Sequence, residues 1–162
     1  MKIWAQQKKR LNSFFVEEVN NFLQVARLDN NREIALKSVG YTILWACPLD
    51  EFYKKSYLNY DSFRKGDIKS EVVKGIRYAR NRAIHQFTQL LHITASNSIP
   101  ARVLAPLFEI NWKSVTKLPN PDKGHKHKDL ENLYTKYLEN KPVRDTFKDL
   151  KGFFERVESE YA

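Results

Sequence analysis

The sequence predicts an all-α fold, an antiparallel helical bundle with additional C-terminal helices, and three observations carry that expectation. Apolar residues recur at spacings of three and four over most of the chain. Glycine and proline are scarce, 5 and 6 among 162 residues, so few positions interrupt a helix. The 42% of hydrophobic residues supply a core for one domain over residues 1–162, large enough to bury roughly two thirds of the unfolded chain's surface. Within that domain the spacing predicts a bundle core over about 3–94, an irregular segment over 95–128 and C-terminal helices over 129–161.

The first helix is expected over residues 3–28, where Leu11, Phe14, Phe15, Val19, Phe22, Val25 and Ala26 form an amphipathic stripe. "LDNNRE" at 28–33 supplies turn formers before a second helix. Residues 34–47 are apolar nearly all round, which places that helix centrally until Pro48 interrupts it. "LDEFYKKSYLNYDSF" reads as a short helix and an aromatic loop. Its tyrosines and phenylalanines are expected to pack in a core or interface, a base-stacking surface being the alternative. Asp67 is placed to cap a helix running to about Thr94, with Ser70 and Glu71 in its first turns.

Residues 95–128 hold four of the six prolines and are expected to be irregular, with a short strand or helical turn near 102–115. Two helices follow, near 129–139 and 142–160. The second opens at Pro142 and carries Val143, Phe147, Leu150, Phe154, Val157 and Tyr161 as a seam that must pack on something.

Net charge is +9, and its placement is uneven. Between Lys54 and Arg82 stand nine basic residues against three acidic ones, an excess of six that accounts for two thirds of the total. Such a concentration suits RNA, DNA or an anionic surface, or else forms a solvated lysine face. Cys47 is the only cysteine and sits between Ala46 and Pro48, which excludes an intrachain disulfide and a thiolate-rich metal site and predicts a buried, inert thiol. No stretch suits a signal peptide or a bilayer span, so the expected location is the cytoplasm, without membrane partners. There is no phosphate-cradling glycine loop, GxSxG elbow or paired-cysteine motif. His125 and His127 lack a third ligand at a diagnostic spacing, so no metal site and no cofactor are expected. Nor is there a tight helix-turn-helix that would indicate a transcriptional regulator.

The chemistry is sought in "RYARNRAIHQF", residues 77–87. At 100° per residue, Val72, Ile76, Ala79, Ala83, Phe87 and Leu90 form one apolar stripe and Val73, Ile84 and Leu91 a second beside it. Arg80 projects between them and requires a partner. Asn81 and His85 lie one above the other beside the second stripe, with Lys74, Tyr78 and His92 close in angle. An imidazole titrating near neutrality moves protons to or from ribose and phosphate oxygens, and a forked guanidinium holds phosphoryl oxygens as charge grows. The structural alternative pairs Arg80 with a carboxylate such as Glu17 or Glu18 and leaves His85 an ordinary half-exposed residue.

"RNRAIH" resembles the hallmark of the HEPN superfamily, an arginine, a polar residue and a histidine four to six positions beyond the arginine, matched here by Arg80, Asn81 and His85. The likeness extends over roughly residues 31–93. It implies a metal-independent endoribonuclease, as found in toxin–antitoxin systems, phage defence and CRISPR effectors, with two motif helices meeting in a homodimer. Catalytic roles then fall to Arg80, Asn81 and His85, while position on the helix alone assigns RNA binding to Lys74, Arg77, Tyr78 and Arg82. An antitoxin or regulatory protein is an implied partner. The branch paired with a nucleotidyltransferase antitoxin has a tyrosine two residues after the histidine; Phe87 stands there, which disfavours that branch. Some members are non-catalytic nucleic-acid- or protein-binding modules, and that is the alternative function.

Overall fold

The computed structural model describes residues 2–25, 31–65, 67–82, 87–95, 108–120 and 128–162. It is a mostly helical bundle with one small sheet. The helices are α1 (Lys2–Val25), α2 (Arg32–Ser56), α3 (Tyr60–Lys65), α4 (Ser70–Arg82), α5 (Lys128–Tyr137) and α6 (Val143–Glu160). The strands are β1 (Leu91–Ala95) and β2 (Phe108–Trp112), which pair antiparallel with Leu91 opposite Trp112 and Ile93 opposite Ile110.

The stripe on α1 does what its period dictates. Phe15, Val19 and Phe22 are buried against the α6 seam, where Phe15 meets Phe154 and Phe22 meets Phe147 edge-to-face, each pair with centroids 4.9 Å apart. Because early α1 residues meet late α6 residues, the two helices run antiparallel. On its other side α1 runs antiparallel to α2, with Trp4 beside Phe52 and Phe14 beside Trp45. Every residue of the α6 seam up to Val157 is buried, and Tyr161 is half-buried against Tyr57. Most of the aromatic cluster is likewise core: Phe52, Tyr53 and Tyr60 are buried.

Two expectations about helix length are corrected. Pro48 does not interrupt α2, which continues through it to Ser56. A proline inside a helix costs about 3 kcal/mol in an isolated segment, but here Ala46, Cys47, Leu49 and Asp50 are buried on both sides of it. Tertiary packing therefore holds the helix where local propensity would end it. The helix expected to run to Thr94 ends, among the described residues, at Arg82; Phe87–Leu90 is a 3₁₀ turn and Leu91–Ala95 is strand β1. The stretch "LLHIT" is short enough to satisfy either period, and the partner that decides for the strand, Phe108–Trp112, lies in a distant segment. That partner fulfils the expectation of a short strand near 102–115. Trp112 is fully buried and its indole N–H donates to Thr146 Oγ1 at 2.9 Å, which fastens the sheet to α6.

Candidate functional site on the fourth helix

Helix α4 opens after a turn in which the Asp67 carboxylate accepts from the Lys69 N–H at 2.9 Å. It lies inside the bundle, packed on α5, α2 and α6, and none of its residues is fully exposed. Gly75 allows α5 and the residue just beyond it their close approach, since a Cβ there would stand 2.6 Å from Leu138 Cδ1 and 3.5 Å from the Leu133 carbonyl oxygen. Val72, Val73, Ile76 and Ala79 are buried, and so is Leu91. The second apolar stripe, as far as Val73 and Leu91 describe it, is therefore core of a single chain and not a surface left for a dimer contact; Ile84 lies outside the described residues.

The cations on this helix divide into distinct states. Asp50 of α2, 1% exposed, accepts from Tyr60 Oη at 2.9 Å, Arg64 Nη1 at 3.2 Å and Arg77 Nη2 at 3.0 Å. Glu51 stands 3.6 Å from the same Arg77 nitrogen. One buried carboxylate thus ties α2, α3 and α4 together. Burial pushes the Asp50 carboxyl above its ordinary value, while Arg64, the Tyr60 hydroxyl and Arg77 pull against that shift. Lys74 pairs with Glu71 at 2.8 Å, one turn earlier on α4. Tyr78 is 3% exposed, donates its hydroxyl to Glu131 of α5 at 2.6 Å, and carries the Arg82 guanidinium 5.5 Å from its ring centre. Burial, then Glu131, push the Tyr78 phenol up to about 12. Its ring is interior and unavailable for stacking on a base.

Arg80 differs from all of these. No carboxylate and no aromatic ring among the described residues pairs with it, although a buried Nε without a hydrogen-bond partner is common to Arg64, Arg77, Arg80 and Arg82. Glu17 is exposed on α1 and makes no ion pair with it, nor does Glu18. The positive charge of Arg80, and after it that of Arg77, pulls on the Cys47 thiol, yet burial prevails and raises that thiol to about 11. Cys47 is fully buried, as an inert structural thiol should be. Asn81, half-buried beside Arg80, has no hydrogen bond among the described residues.

His85, His125 and His127 lie outside the described residues. His92 belongs to β1, where it faces Asn111 across the sheet instead of sharing a helical edge with Asn81. Phe87, two positions beyond His85 in sequence, sets its ring against Gly40 of α2, where an added Cβ would come within 2.8 Å of Cδ2. A cleft of about 470 Å³ borders this contact, lined by Leu36, Gly40, Tyr41, Leu44, Phe87 and Thr88. Arg80 and Asn81 do not line it.

Asp50, the organiser of the polar interior, was missed by the reading of spacing. Its one sequence signal is that it is the first of two adjacent carboxylates, Asp50 and Glu51, closing the apolar run "ILWACPL"; its partners lie 10, 14 and 27 positions away, where no helical period reaches. Searches against protein-family models, curated proteins and solved structures find no match to this chain.

Proposed function

We propose that the protein is a metal-independent endoribonuclease of the HEPN type, acting in the cytoplasm as a homodimer through the half-exposed polar edge of the motif-bearing helix, since its described apolar residues are core. The observation that supports this reading is the state of Arg80. Among the arginines of α3 and α4, Arg64 and Arg77 are committed to Asp50 and Arg82 lies over the Tyr78 ring, whereas Arg80 has neither a carboxylate nor an aromatic ring as partner among the described residues. A cation held this way at the end of a helix is one available to a phosphate.

In this reading His85 takes the proton of a ribose 2′-hydroxyl as that oxygen attacks the adjacent phosphorus. The bond from phosphorus to the 5′ oxygen then breaks, and the departing oxygen gains a proton from an imidazolium or from water. The products are a 2′,3′-cyclic phosphate and a 5′-hydroxyl. Arg80 stabilises the charge that accumulates on the non-bridging oxygens, and Asn81 orients the phosphate or the imidazole. Arg82 and Lys74 serve the RNA backbone. Arg77 and Tyr78, assigned to RNA by spacing, are withdrawn to the structural roles that their contacts with Asp50 and Glu131 describe. A regulatory or antitoxin protein is a further proposed partner, of a branch other than the one marked by a tyrosine at position 87.

The test is incubation of the purified protein with total RNA in excess chelator, beside His85→Ala and Arg80→Ala. Cleavage by wild type that both substitutions abolish supports the assignment. Equal cleavage by all three, or none by any, overturns it and leaves the non-catalytic nucleic-acid- or protein-binding module.

A further inference from the structure

At the end of the bundle where α1 begins and α2 finishes, a second cleft of about 600 Å³ lies between three segments that are remote in sequence. That volume is within the range of roughly 300–1,000 Å³ usual for small-molecule sites. Its walls are aromatic: Trp4 from α1, Phe52 and Tyr57 from the end of α2, and Tyr161 just beyond α6. Trp4 stands 5.8 Å from Phe52, and Tyr57 stacks on Tyr161 at 4.2 Å. Trp4 is 55% exposed, unusual for an indole that has an aromatic cleft beside it.

The polar groups have a definite sign. Lys8 is held in place by Glu158 at 3.2 Å and the Tyr161 carbonyl at 2.7 Å, with its ammonium 6.0 Å from the Tyr57 ring centre. Glu158 is itself engaged by the Tyr53 hydroxyl as well as by Lys8, so that carboxylate is occupied. Lys55 is exposed on the rim and forms no ion pair among the described residues. Ser56 and Tyr161, both lining residues, each keep a buried hydroxyl oxygen with no hydrogen-bond partner. Aromatic walls alone would serve a cation or an anion. Lys8 and Glu158 offset one another, and Lys55, left without an ion pair among the described residues, favours an anion, and a flat one.

We propose that this cleft binds a nucleobase carrying phosphate, with the base stacked on Trp4 and the phosphate on Lys55. The choice of ligand class rests on the RNA reading above. Such a base comes either from a free nucleotide or from single-stranded RNA whose chain continues along the protein. Lys55 lies eight residues beyond Cys47 on α2, about 12 Å along the helix axis, so the cleft is a site separate from the region around Arg80.

The test is titration of His85→Ala protein, in which binding is read without turnover, so failure here leaves the cleavage test standing. Adenosine monophosphate and a short adenylate RNA are each followed by quenching of tryptophan fluorescence and by calorimetry, with ribose 5-phosphate as the control that has charge but no base. Trp4→Ala is expected to weaken binding about tenfold or more, Trp4→Phe to restore part of it, and Lys55→Ala to weaken it less. Melting temperatures of these surface variants confirm the fold. A tighter grip on the RNA identifies the chain as the source of the base, and equal affinities identify the free nucleotide. The proposal is overturned if ribose 5-phosphate binds as well as the nucleotide, if Trp4→Ala binds like its parent, or if neither nucleotide nor RNA binds at millimolar concentration.

Discussion

Arg77 and Arg80 sit one turn apart on the same helix, both half-buried, both facing α2, and meet different fates. Arg77 ends on a carboxylate that already holds Arg64 and a phenol, and its charge is spent inside the protein. Arg80 has no carboxylate partner among the described residues. The difference teaches that position on a stripe does not decide whether a buried cation is structural. What decides it is whether the facing helix presents an acid at the matching level, and α2 does so at Asp50 but presents Cys47 near Arg80.

The largest effect expected from breaking this comparison is at Asp50. Asp50→Ala leaves Arg64 and Arg77 without their shared carboxylate, and removing one partner from a buried ion pair typically costs about 3–5 kcal/mol. Urea denaturation should show a loss of that order. A loss under about 1 kcal/mol would mean that the two guanidiniums find water at once and that the knot is not buried in any energetic sense.

Next is Arg80→Ala, for which the two readouts should part. If Arg80 is the phosphate-holding group, cleavage falls about 100- to 1,000-fold, as for removal of one donor to a developing oxyanion. Stability should hold or rise, because the substitution removes a buried N–H with no partner. A large fall in melting temperature would instead place Arg80 with Arg77 among the structural arginines, and the contrast between them would collapse.

How far the residues announce all this differs between the two ends of the molecule. The seam from Val143 to Val157 and the α1 stripe through Phe15, Val19 and Phe22 follow from period alone, because each is a local pattern whose only requirement is another apolar face. Pro48 misleads because the rule it obeys is local and the packing that overrules it is not. The strand at Leu91–Ala95 misleads for the same reason, its decisive partner being in another segment. At the site, spacing marks Arg80 as a cation on an apolar stripe, and its Nε is buried. It cannot distinguish Arg80 from Arg77, since that depends on Asp50, and it places Tyr78 on a polar edge when Glu131 of α5 makes its hydroxyl an interior group.

Cys47 sharpens the comparison at smaller scale. Two cations pull its thiol toward ionisation, yet burial holds it at about 11 against an ordinary 9.0. The unfolded thiol ionises near its ordinary value and the folded one resists until its raised value. The stability attached to the neutral thiol is thus fully present below pH 9 and lost as pH rises toward about 11. Two pKa units correspond to at most about 2.7 kcal/mol. Since buried tyrosines titrate in the same range, the quantity to measure is the difference between wild type and Cys47→Ala at pH 8 and at pH 10.5. Wild type should lose the larger share of its stability on that step. Parallel losses would mean that water reaches the thiol, and with it the flank of Arg80.

The smallest effect separates structure from binding on the same helix. Lys74 pairs with Glu71 across one turn with both side chains partly in solvent, and such pairs are worth about 0.2–0.5 kcal/mol. Lys74→Ala should therefore barely move the melting temperature. If the polar edge of α4 tracks an RNA strand, the same substitution removes one phosphate contact, and the slope of log affinity against log salt should become shallower by about 0.7. Arg77→Ala reverses the pattern, with a large loss of stability and no contribution to the slope, because its charge already belongs to Asp50. Equal changes in slope from the two variants would show that RNA draws Arg77 away from its carboxylate. The division of this helix into interior cations and ligand-facing ones would then be set by the ligand and not by the fold.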